Sequence, residues 1–580
     1  MVKRQLMLGN AAIARGAYEA GVRVVSAYPG TPSTEISEVI ATYKEVYAEW
    51  APNEKAAFES AVGAAYAGAR AMVCMKHVGV NVAADPMFTV AYTGINGGLV
   101  IVAADDPGMY SSQNEQDSRF YARSAHIPML EPSDSGECKE FTKLAFELSE
   151  RYDTPVFVRT TTRVAHSQSY VTAEERKELP LKPYVKNVKK YTMMPSSAVL
   201  RHIEVEKREN KFKADLAEIG VNTIEINDKS LGIICSGVVY QYVKEACPSA
   251  SVLKLGVVYP VDTELVRRFA AEVKRLVVIE ELEPFIEDTL KAAGVKCEGK
   301  NLFSLQGEIS AALIKNKLYG EKIKTNTDYA PPRPPVLCAG CPHRGVFYIL
   351  SKLKLTVSAD IGCYTLGAQA PLSAVDTVLC MGASIGIAHG FEKAAGRAQS
   401  NKTVAVIGDS TFIHSGITGL INAVYNGSNI TLLILDNSTT GMTGHQEHPA
   451  TGKTLKGTSA KILDLEAMVK ACGAESVRIV DAYDLPAVEK AVKGAIDEDG
   501  VSVVIAKRPC ALLGKTRGVP YAISECKRCG MCGKIGCPAI RKNADGTMTI
   551  VAEQCAGCGV CAGLCKFGCI KKPEKNLKKT

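Results

Sequence analysis

"GDSTFIHSGITGLINAVYNGSNITLLILDNSTT", residues 408–440, reads as a strand end, a turn, a helix and a second strand. Val404–Ile407 is a short β-branched run that breaks at Gly408-Asp409-Ser410. A helical stretch follows, and the apolar run Ile430–Leu435 ends at Asp436-Asn437. Strands alternating with helices point to a parallel sheet. Two polar clusters then stand just past the carboxyl ends of two strands. A carboxylate at one strand end, with an amide 28 residues later, suits a hard cation shared with a diphosphate. Gly408 lets the backbone approach closely, and the helix beginning nearby turns its N-terminus towards the anion. Alone, Gly-Asp-Ser is a common turn. Upstream, "DTVLCMGASIGIAHGFEKAAG" places Gly382, Ala383, Ser384 and Gly386 between a strand and a small-residue helix. That suits a phosphate-cradling turn, and it also suits tight helix–sheet packing.

The 580 residues allow three to five domains, and 46% hydrophobic content allows several buried cores. The net charge of +8 is dispersed, and its densest run, "KKPEKNLKKT", reads as a solvated tail. With 6% aromatics and no nucleic-acid motif, no nucleic-acid partner is expected. "MVKRQLMLGNAAIARGAYEAG" lacks the apolar core and cleavage site of a signal peptide. No apolar run approaches the roughly 20 residues of a membrane span. The expectation is a soluble, cytoplasmic chain with no membrane partner.

Cysteine is the anomaly: there are 20, nine of them between Cys526 and Cys569. Without a secretion signal, metal or redox chemistry is favoured over disulfides. "CKRCGMCGKIGCPAI" and "CAGCGVCAGLCKFGCI" each carry C-x2-C-x2-C followed by a fourth Cys. In two-cluster ferredoxins the fourth Cys of each run binds the other cluster. Cys526, Cys529, Cys532 and Cys565 are therefore assigned to one [4Fe–4S] cluster. Cys555, Cys558, Cys561 and Cys537 are assigned to a second. Two departures stand out: four residues, not three, precede Cys537, and Lys566 replaces the usual Pro after Cys565. Cys569 is an alternate ligand or a spare small apolar residue.

The stretch 408–439 resembles the thiamine diphosphate motif, Gly-Asp-Gly followed at similar distance by Asn, with Ser410 in place of the second Gly. The resemblance implies that Asp409, the Asn437 side chain and the Thr439 carbonyl bind Mg²⁺. Gly382, Ala383, Ser384, Gly408 and Ser410 are then expected around the cofactor. The first 165 residues are α/β in pattern, and "YPGTPSTE" resembles the Tyr-Pro-x-Thr-Pro turn of the 2-oxoacid:ferredoxin oxidoreductases. That resemblance places Glu54 where the family keeps the glutamate of the aminopyrimidine N1′, with Glu59 as alternative. It places Thr31 at the substrate carbonyl. "YAPPRPPVLCAGCPHRGVFYIL", "SADIGCYTLGAQAPLSAVDTVLCMGASIG" and "LDNSTTGMTGHQEHPATG" are similar to the family's large subunits that act on aryl pyruvates.

What this implies is oxidative decarboxylation. An aryl pyruvate such as indolepyruvate, CoA and oxidised ferredoxin would give the acyl-CoA, CO₂ and reduced ferredoxin. Thiamine diphosphate supplies the electron sink, and the protein positions and tunes it. Another 2-oxoacid, branched-chain or pyruvate, or a non-oxidative decarboxylase are the alternatives. The family also implies a separate, smaller beta subunit carrying a gamma-type domain, in an α2β2 assembly. Cys338, Cys341, Cys363 and Cys510 match the arrangement of a third [4Fe–4S] cluster in relatives, or line the pocket without metal. His343, Arg344, His414, His445 and His448 are lone candidates for substrate or phosphate contacts. The expected fold class is multidomain α/β, with two thiamine-diphosphate-binding parallel-sheet domains. Their pyrimidine-binding and diphosphate-binding types take residues 1–180 and 326–515. A transketolase-C-terminal-like domain takes 181–325 and a two-cluster ferredoxin domain 516–580.

Overall fold

The computed structural model describes residues 3–323, 334–514 and 517–573. The expected boundaries near 325 and 515, and the lysine-rich end from 574, lie outside the described residues. The chain divides into two compact units, Met1–Tyr329 and Ala330–Thr580.

The first unit is built on a seven-stranded sheet. Its order is Val257–Tyr259, Met129–Leu130, Val156–Thr161, Leu99–Asp105, Ala71–Lys76, Val24–Ala27 and Tyr47–Trp50. "AMVCMK", "LVIVAAD" and "VFVRTT" are buried along their whole length, as parallel strands covered by helices on both faces must be. Every neighbouring pair is parallel except at one edge, where Val257–Tyr259 pairs antiparallel with Met129–Leu130. That edge strand comes from the 181–325 span. The same span forms a four-stranded sheet, Leu276–Ile279, Asp228–Ser236, Ala250–Leu255 and Thr223–Glu225. Its helix Pro195–Ala214 is anchored on the first sheet's helices, with Arg201 donating to the Tyr92 carbonyl and Arg208 to those of Ala91 and Asp153. The division expected at 180/181 therefore cuts through one packed body.

A buried ionic network joins the two sheets of this unit. Arg119 donates to Glu280 Oε2 (2.6 Å), Asp117 Oδ2 (2.5 Å) and the carbonyls of Glu281 and Glu283. Arg159 donates to Asp105 Oδ2 (2.7 Å) and lies 2.8 Å from Glu131 Oε1.

The second unit holds a six-stranded sheet, parallel throughout, in the order Thr377–Val378, Thr356–Ala359, Thr403–Gly408, Ile430–Asp436, Val501–Lys507 and Ser476–Asp481. The helix expected after Gly408 starts at Asp409, widens to a π-turn over Phe412–Gly416 and continues as Ile417–Tyr425. Beyond the sheet, two small antiparallel ladders frame the cysteine runs, Ala522–Ile523 with Ile570–Lys571 and Ile540–Lys542 with Met548–Ile550.

Removing one partner of a buried ion pair leaves the others desolvated and unpaired. Arg119→Met should therefore lower stability by roughly 3–5 kcal/mol. The readout is an earlier urea midpoint; an unchanged midpoint would show that the network carries no net weight.

Candidate functional site

Four neighbouring strands of the second unit end in polar residues on one edge of the sheet. Asp360 follows Thr356–Ala359, Asp409 follows Thr403–Gly408, Asn437 follows Ile430–Asp436, and Cys510 lies three residues past Val501–Lys507. The carboxyl edge of a parallel sheet is where open α/β folds gather ligand groups. Asp409 is buried and accepts from Ser410 N (2.9 Å, Oδ1) and Ser438 N (2.8 Å, Oδ2). His448 Nε2 stands 3.2 Å from Asp409 Oδ2. Burial pushes the Asp409 carboxyl up, against the pull of His448.

The end of the Asn437 side-chain amide lies 2.7 Å from the Thr439 carbonyl oxygen and 3.2 Å from Asp409 Oδ1, and with its nitrogen there it donates to both. Turned over, the amide would present its oxygen beside those two acceptors, a set of three oxygens of the kind Mg²⁺ takes.

The Gly382 turn cradles an anion, but in this structure the anion is a side chain of the protein. Ser384 donates through its N–H (2.8 Å) and its hydroxyl (2.7 Å) to Asp360, and the amides of Gly382 and Ala383 face the same carboxylate. The donors expected to meet the diphosphate at Gly382, Ala383 and Ser384 are thus engaged by Asp360, whose carboxyl burial pushes up to about 7. Gly382 has φ 88°, and a Cβ there would meet Ser415 Cβ at 2.5 Å, so its glycine serves the π-turn. Gly408 has ordinary backbone angles; a Cβ there would strike the Tyr364 ring at 2.6 Å. Tyr364 in turn donates to Thr411 Oγ1 (3.0 Å). The Ser410 hydroxyl accepts from Thr440 (2.9 Å).

The thiols gather in three sets. Cys526, Cys529, Cys532 and Cys565 line one small cavity, with Met548 and Cys569 beside them. Cys561 faces Cys558, Cys537 and Cys555, and burial pushes its thiol up to about 12. Cys363 faces Cys510 and Cys338, and Cys341 faces Cys363 and Cys338. Burial opposes the Cys565 thiolate, but N–H groups at Cys569, Phe567 and Ile570 outweigh it and hold its pKa below the usual thiol range. Met548 N donates to Cys526 Sγ (3.3 Å) and Gly557 N to Cys555 Sγ (3.4 Å). Such donors are those an iron–sulfur ligand uses. Cys569 donates instead to the Glu525 carbonyl (3.3 Å). Among the described residues no three His, Cys, Asp or Glu side chains converge closely enough to hold one metal ion. A cubane differs, because each thiolate takes its own iron.

Of the lone candidates, His343 and His448 stand at the Asp409–Asn437 edge. His343 Nε2 is 3.5 Å from Asn437 Nδ2, and burial presses its pKa down to about 4, so the ring is neutral. His414 pairs with Ser415 Oγ (2.5 Å), and His445 sits in the loop after Asn437 with φ 69°. Arg344 faces the thiols of Cys537, Cys341, Cys338 and Cys558.

In the first unit the same device recurs. Thr31 follows Val24–Ala27, Glu54 follows Tyr47–Trp50, Lys76 ends Ala71–Lys76 and Asp106 follows Leu99–Asp105. Glu54 is buried at the start of helix Glu54–Tyr66, whose N-terminus Asn53 caps by accepting from Ala56 N (2.9 Å). A Cβ at Gly79 would meet Glu54 Oε1 at 2.7 Å, so that glycine makes room for the carboxylate. Glu59, by contrast, is exposed and paired with Lys55. The stem of Lys76 packs on Gly30 beside Thr31, its Nζ donates to the Ser111 carbonyl (2.7 Å), and Asp106 and Glu54 are its nearest charges. The sequence reading missed Asp360 and Lys76. Each ends a buried β-run, but neither the distant partners of Asp360 nor the burial of Lys76 is marked in the sequence around it.

Residues 15–219 match the family model described as pyruvate flavodoxin/ferredoxin oxidoreductase, thiamine diP-binding. Residues 360–506 match the thiamine pyrophosphate enzyme, C-terminal TPP binding domain. Indolepyruvate oxidoreductase subunit IorA of Archaeoglobus fulgidus is 41% identical, across 99% of this chain and 98% of that one. The subunit of the same name from Pyrococcus horikoshii is 41% identical, across 98% and 97%. The 2-oxoglutarate synthase subunit KorA of Methanothermobacter thermautotrophicus is 32% identical, across 30% of this chain and 49% of its own.

Lys76 gives a pH test. Burial presses it down to about 8 from 10.5. Between those values the unfolded chain binds more protons than the folded one, so stability rises with pH across that window. Below pH 8 the cost of the buried charge is fully present. Lys76→Met should raise stability at pH 7 by up to roughly 3 kcal/mol and flatten the rise between pH 8 and 10.5. Denaturant midpoints at pH 7 and pH 10 check this.

Proposed function

The chain belongs to the family of the indolepyruvate oxidoreductase IorA subunits, and we propose that it is the large subunit of a ferredoxin-dependent enzyme that oxidatively decarboxylates aryl pyruvates. The reaction is 2-oxoacid, CoA and oxidised ferredoxin to acyl-CoA, CO₂ and reduced ferredoxin. The observation that carries the reading is the convergence of the Asp409 carboxylate, the Asn437 amide and the Thr439 carbonyl at the carboxyl edge of the sheet, with the amide 2.7 Å from the carbonyl and 3.2 Å from the carboxylate.

Thiamine diphosphate, when bound, supplies the electron sink for loss of CO₂. The chain's own groups hold and tune it. Asp409, the Asn437 amide oxygen and the Thr439 carbonyl would hold Mg²⁺, which would supply the positive charge that binds the diphosphate. Glu54 keeps a proton at N1′ of the aminopyrimidine; its burial against Gly79 supports that role. Thr31 hydrogen-bonds the substrate carbonyl. The neutral ring of His343 adds no competing charge beside Asn437.

Two [4Fe–4S] clusters are held by the Cys526, Cys529, Cys532, Cys565 set and the Cys555, Cys558, Cys561, Cys537 set. Cys338, Cys341, Cys363 and Cys510 hold a third. The mutual approach of the thiols within each set supports these assignments. A smaller beta subunit completes the enzyme as an α2β2 assembly; the subunit name of the relatives supports the existence of a partner subunit. The cytoplasm suits a chain whose twenty cysteines form no disulfide. No helix among the described residues is long and apolar enough to cross a membrane.

The test is anaerobic viologen reduction by the chain co-expressed with its small partner, on indolepyruvate, phenylpyruvate, pyruvate and a branched 2-oxoacid. CoA-dependent reduction led by the aryl substrates is expected. A lead by pyruvate or the branched acid would overturn the substrate class, and aldehyde without reduction would overturn the oxidative chemistry. Asp409→Asn should lose stoichiometric Mg²⁺ and thiamine diphosphate by elemental and cofactor analysis. Glu54→Gln should keep both cofactors and lose about 10²–10⁴-fold in kcat.

A further inference from the structure

Arg344 is a buried cation among thiols. It lies in the first turn of helix His343–Leu353, three residues after Cys341, and is 5% exposed. Its Nε donates to the Cys338 carbonyl (2.9 Å). Its Nη1 donates to the carbonyls of Ile535 (3.2 Å) and Gly536, the two residues before Cys537. Its Nη2 is buried with no hydrogen-bond partner. Among the described residues it forms no ion pair with a carboxylate. The titratable groups that face it are the thiols of Cys537, Cys341, Cys338 and Cys558.

These thiols belong to two different sets, and other contacts hold the sets together at this point. Tyr483 donates its hydroxyl to the Gly340 carbonyl (2.5 Å) and also faces Cys558 and Cys341. A Cβ at Gly340 would strike Ala556 Cβ at 2.6 Å. The Cys338–Cys341 loop is therefore packed directly on the Cys555–Cys561 run, with the guanidinium at the seam.

A buried guanidinium without an anion is costly. Four thiolates around a [4Fe–4S] core carry net negative charge, and that charge grows by one on reduction. We propose that Arg344 is a potential-setting residue, whose fixed positive charge raises the reduction potential of the cluster held by Cys537, Cys555, Cys558 and Cys561. The unpartnered Nη2 and the missing carboxylate follow from this role, because the cluster is the counter-ion. The inference rests on the cluster assignments of the proposed function. The thiols that act most strongly on Arg344 are those of Cys537, Cys341, Cys338 and Cys558, so the set built on Cys526, Cys529, Cys532 and Cys565 serves as internal reference.

The test is an EPR-monitored redox titration of the anaerobic holoenzyme with its small partner. Dithionite supplies one electron to each cluster as it is reduced. Wild type, Arg344→Gln and Arg344→Lys are compared. In the Gln variant the cluster of Cys537, Cys555, Cys558 and Cys561 should shift to a more negative midpoint, with any shift of the cluster at Cys338 and Cys341 in the same direction, while the cluster of Cys526, Cys529, Cys532 and Cys565 stays fixed. The Lys variant, which keeps the charge and loses the planar fork, should keep the wild-type midpoints. An unshifted Gln variant overturns the proposal. So does a shifted Lys variant, whether or not the Gln variant retains its iron, and so does loss of the cluster from both. A wild-type enzyme without cubane signals would instead overturn the cluster assignments themselves.

Discussion

The Asp409 carboxylate, the Asn437 side-chain amide and the Thr439 carbonyl converge on one point at the carboxyl edge of the second unit's sheet. The amide stands 2.7 Å from the Thr439 carbonyl oxygen and 3.2 Å from Asp409 Oδ1 and donates its nitrogen to both. A hard cation at this point would reverse the amide and draw its oxygen in beside the other two. The surroundings keep Asp409 poised for this. Backbone N–H groups of Ser410 and Ser438 hold its two oxygens in place, and His448 stands behind it. Four parallel neighbours in register bring Asp360, Asp409, Asn437 and Cys510 to the same edge. The fold thereby sets a metal-binding trio close to a set of thiols: Cys510 N donates to the Asn437 carbonyl, and a Cβ at Gly441 would touch both Cys363 Sγ and Asn437 Nδ2.

The first unit uses the same edge for different chemistry. Glu54, Thr31, Lys76 and Asp106 follow four adjacent strands, so a carboxylate, a hydroxyl and an amine are held by rigid backbone rather than by long loops. Burial there is unfavourable to charge, and Lys76 keeps its amine at a cost to stability. Groups retained against their own desolvation are those expected at functional sites.

Much of this was legible in the sequence because parallel strands announce their ends. A β-branched run that stops at Gly408-Asp409, and another that stops at Asp436-Asn437, fix both register and polarity. Cysteine spacing is equally local: within each run it draws the thiols together, and Cys561 faces Cys532 of the other run as well as Cys558, Cys555 and Cys537. Asp360 escaped notice because its partners Ser384 and Gly382 lie more than 20 residues away, on the next helix. A carboxylate filling the anion hole of another segment has no local signature. Lys76 reads in "AMVCMK" as an ordinary strand end meeting solvent. The edge strand Val257–Tyr259 is three residues long, too short for periodicity to mark, and it alone ties the 181–325 span into the first sheet. Arg344 is visible in "CPHRG", but its buried, carboxylate-free setting is a property of packing.

Pulsed EPR of Mn²⁺ in the assembled enzyme, loaded with thiamine diphosphate, tests the central claim most directly. The account predicts one Mn²⁺ per chain, bound only with the cofactor, carrying ³¹P coupling from the diphosphate, and lost in Asn437→Ala. A phosphorus-coupled Mn²⁺ that persists unchanged in Asn437→Ala would show that the metal is held elsewhere and would contradict the account.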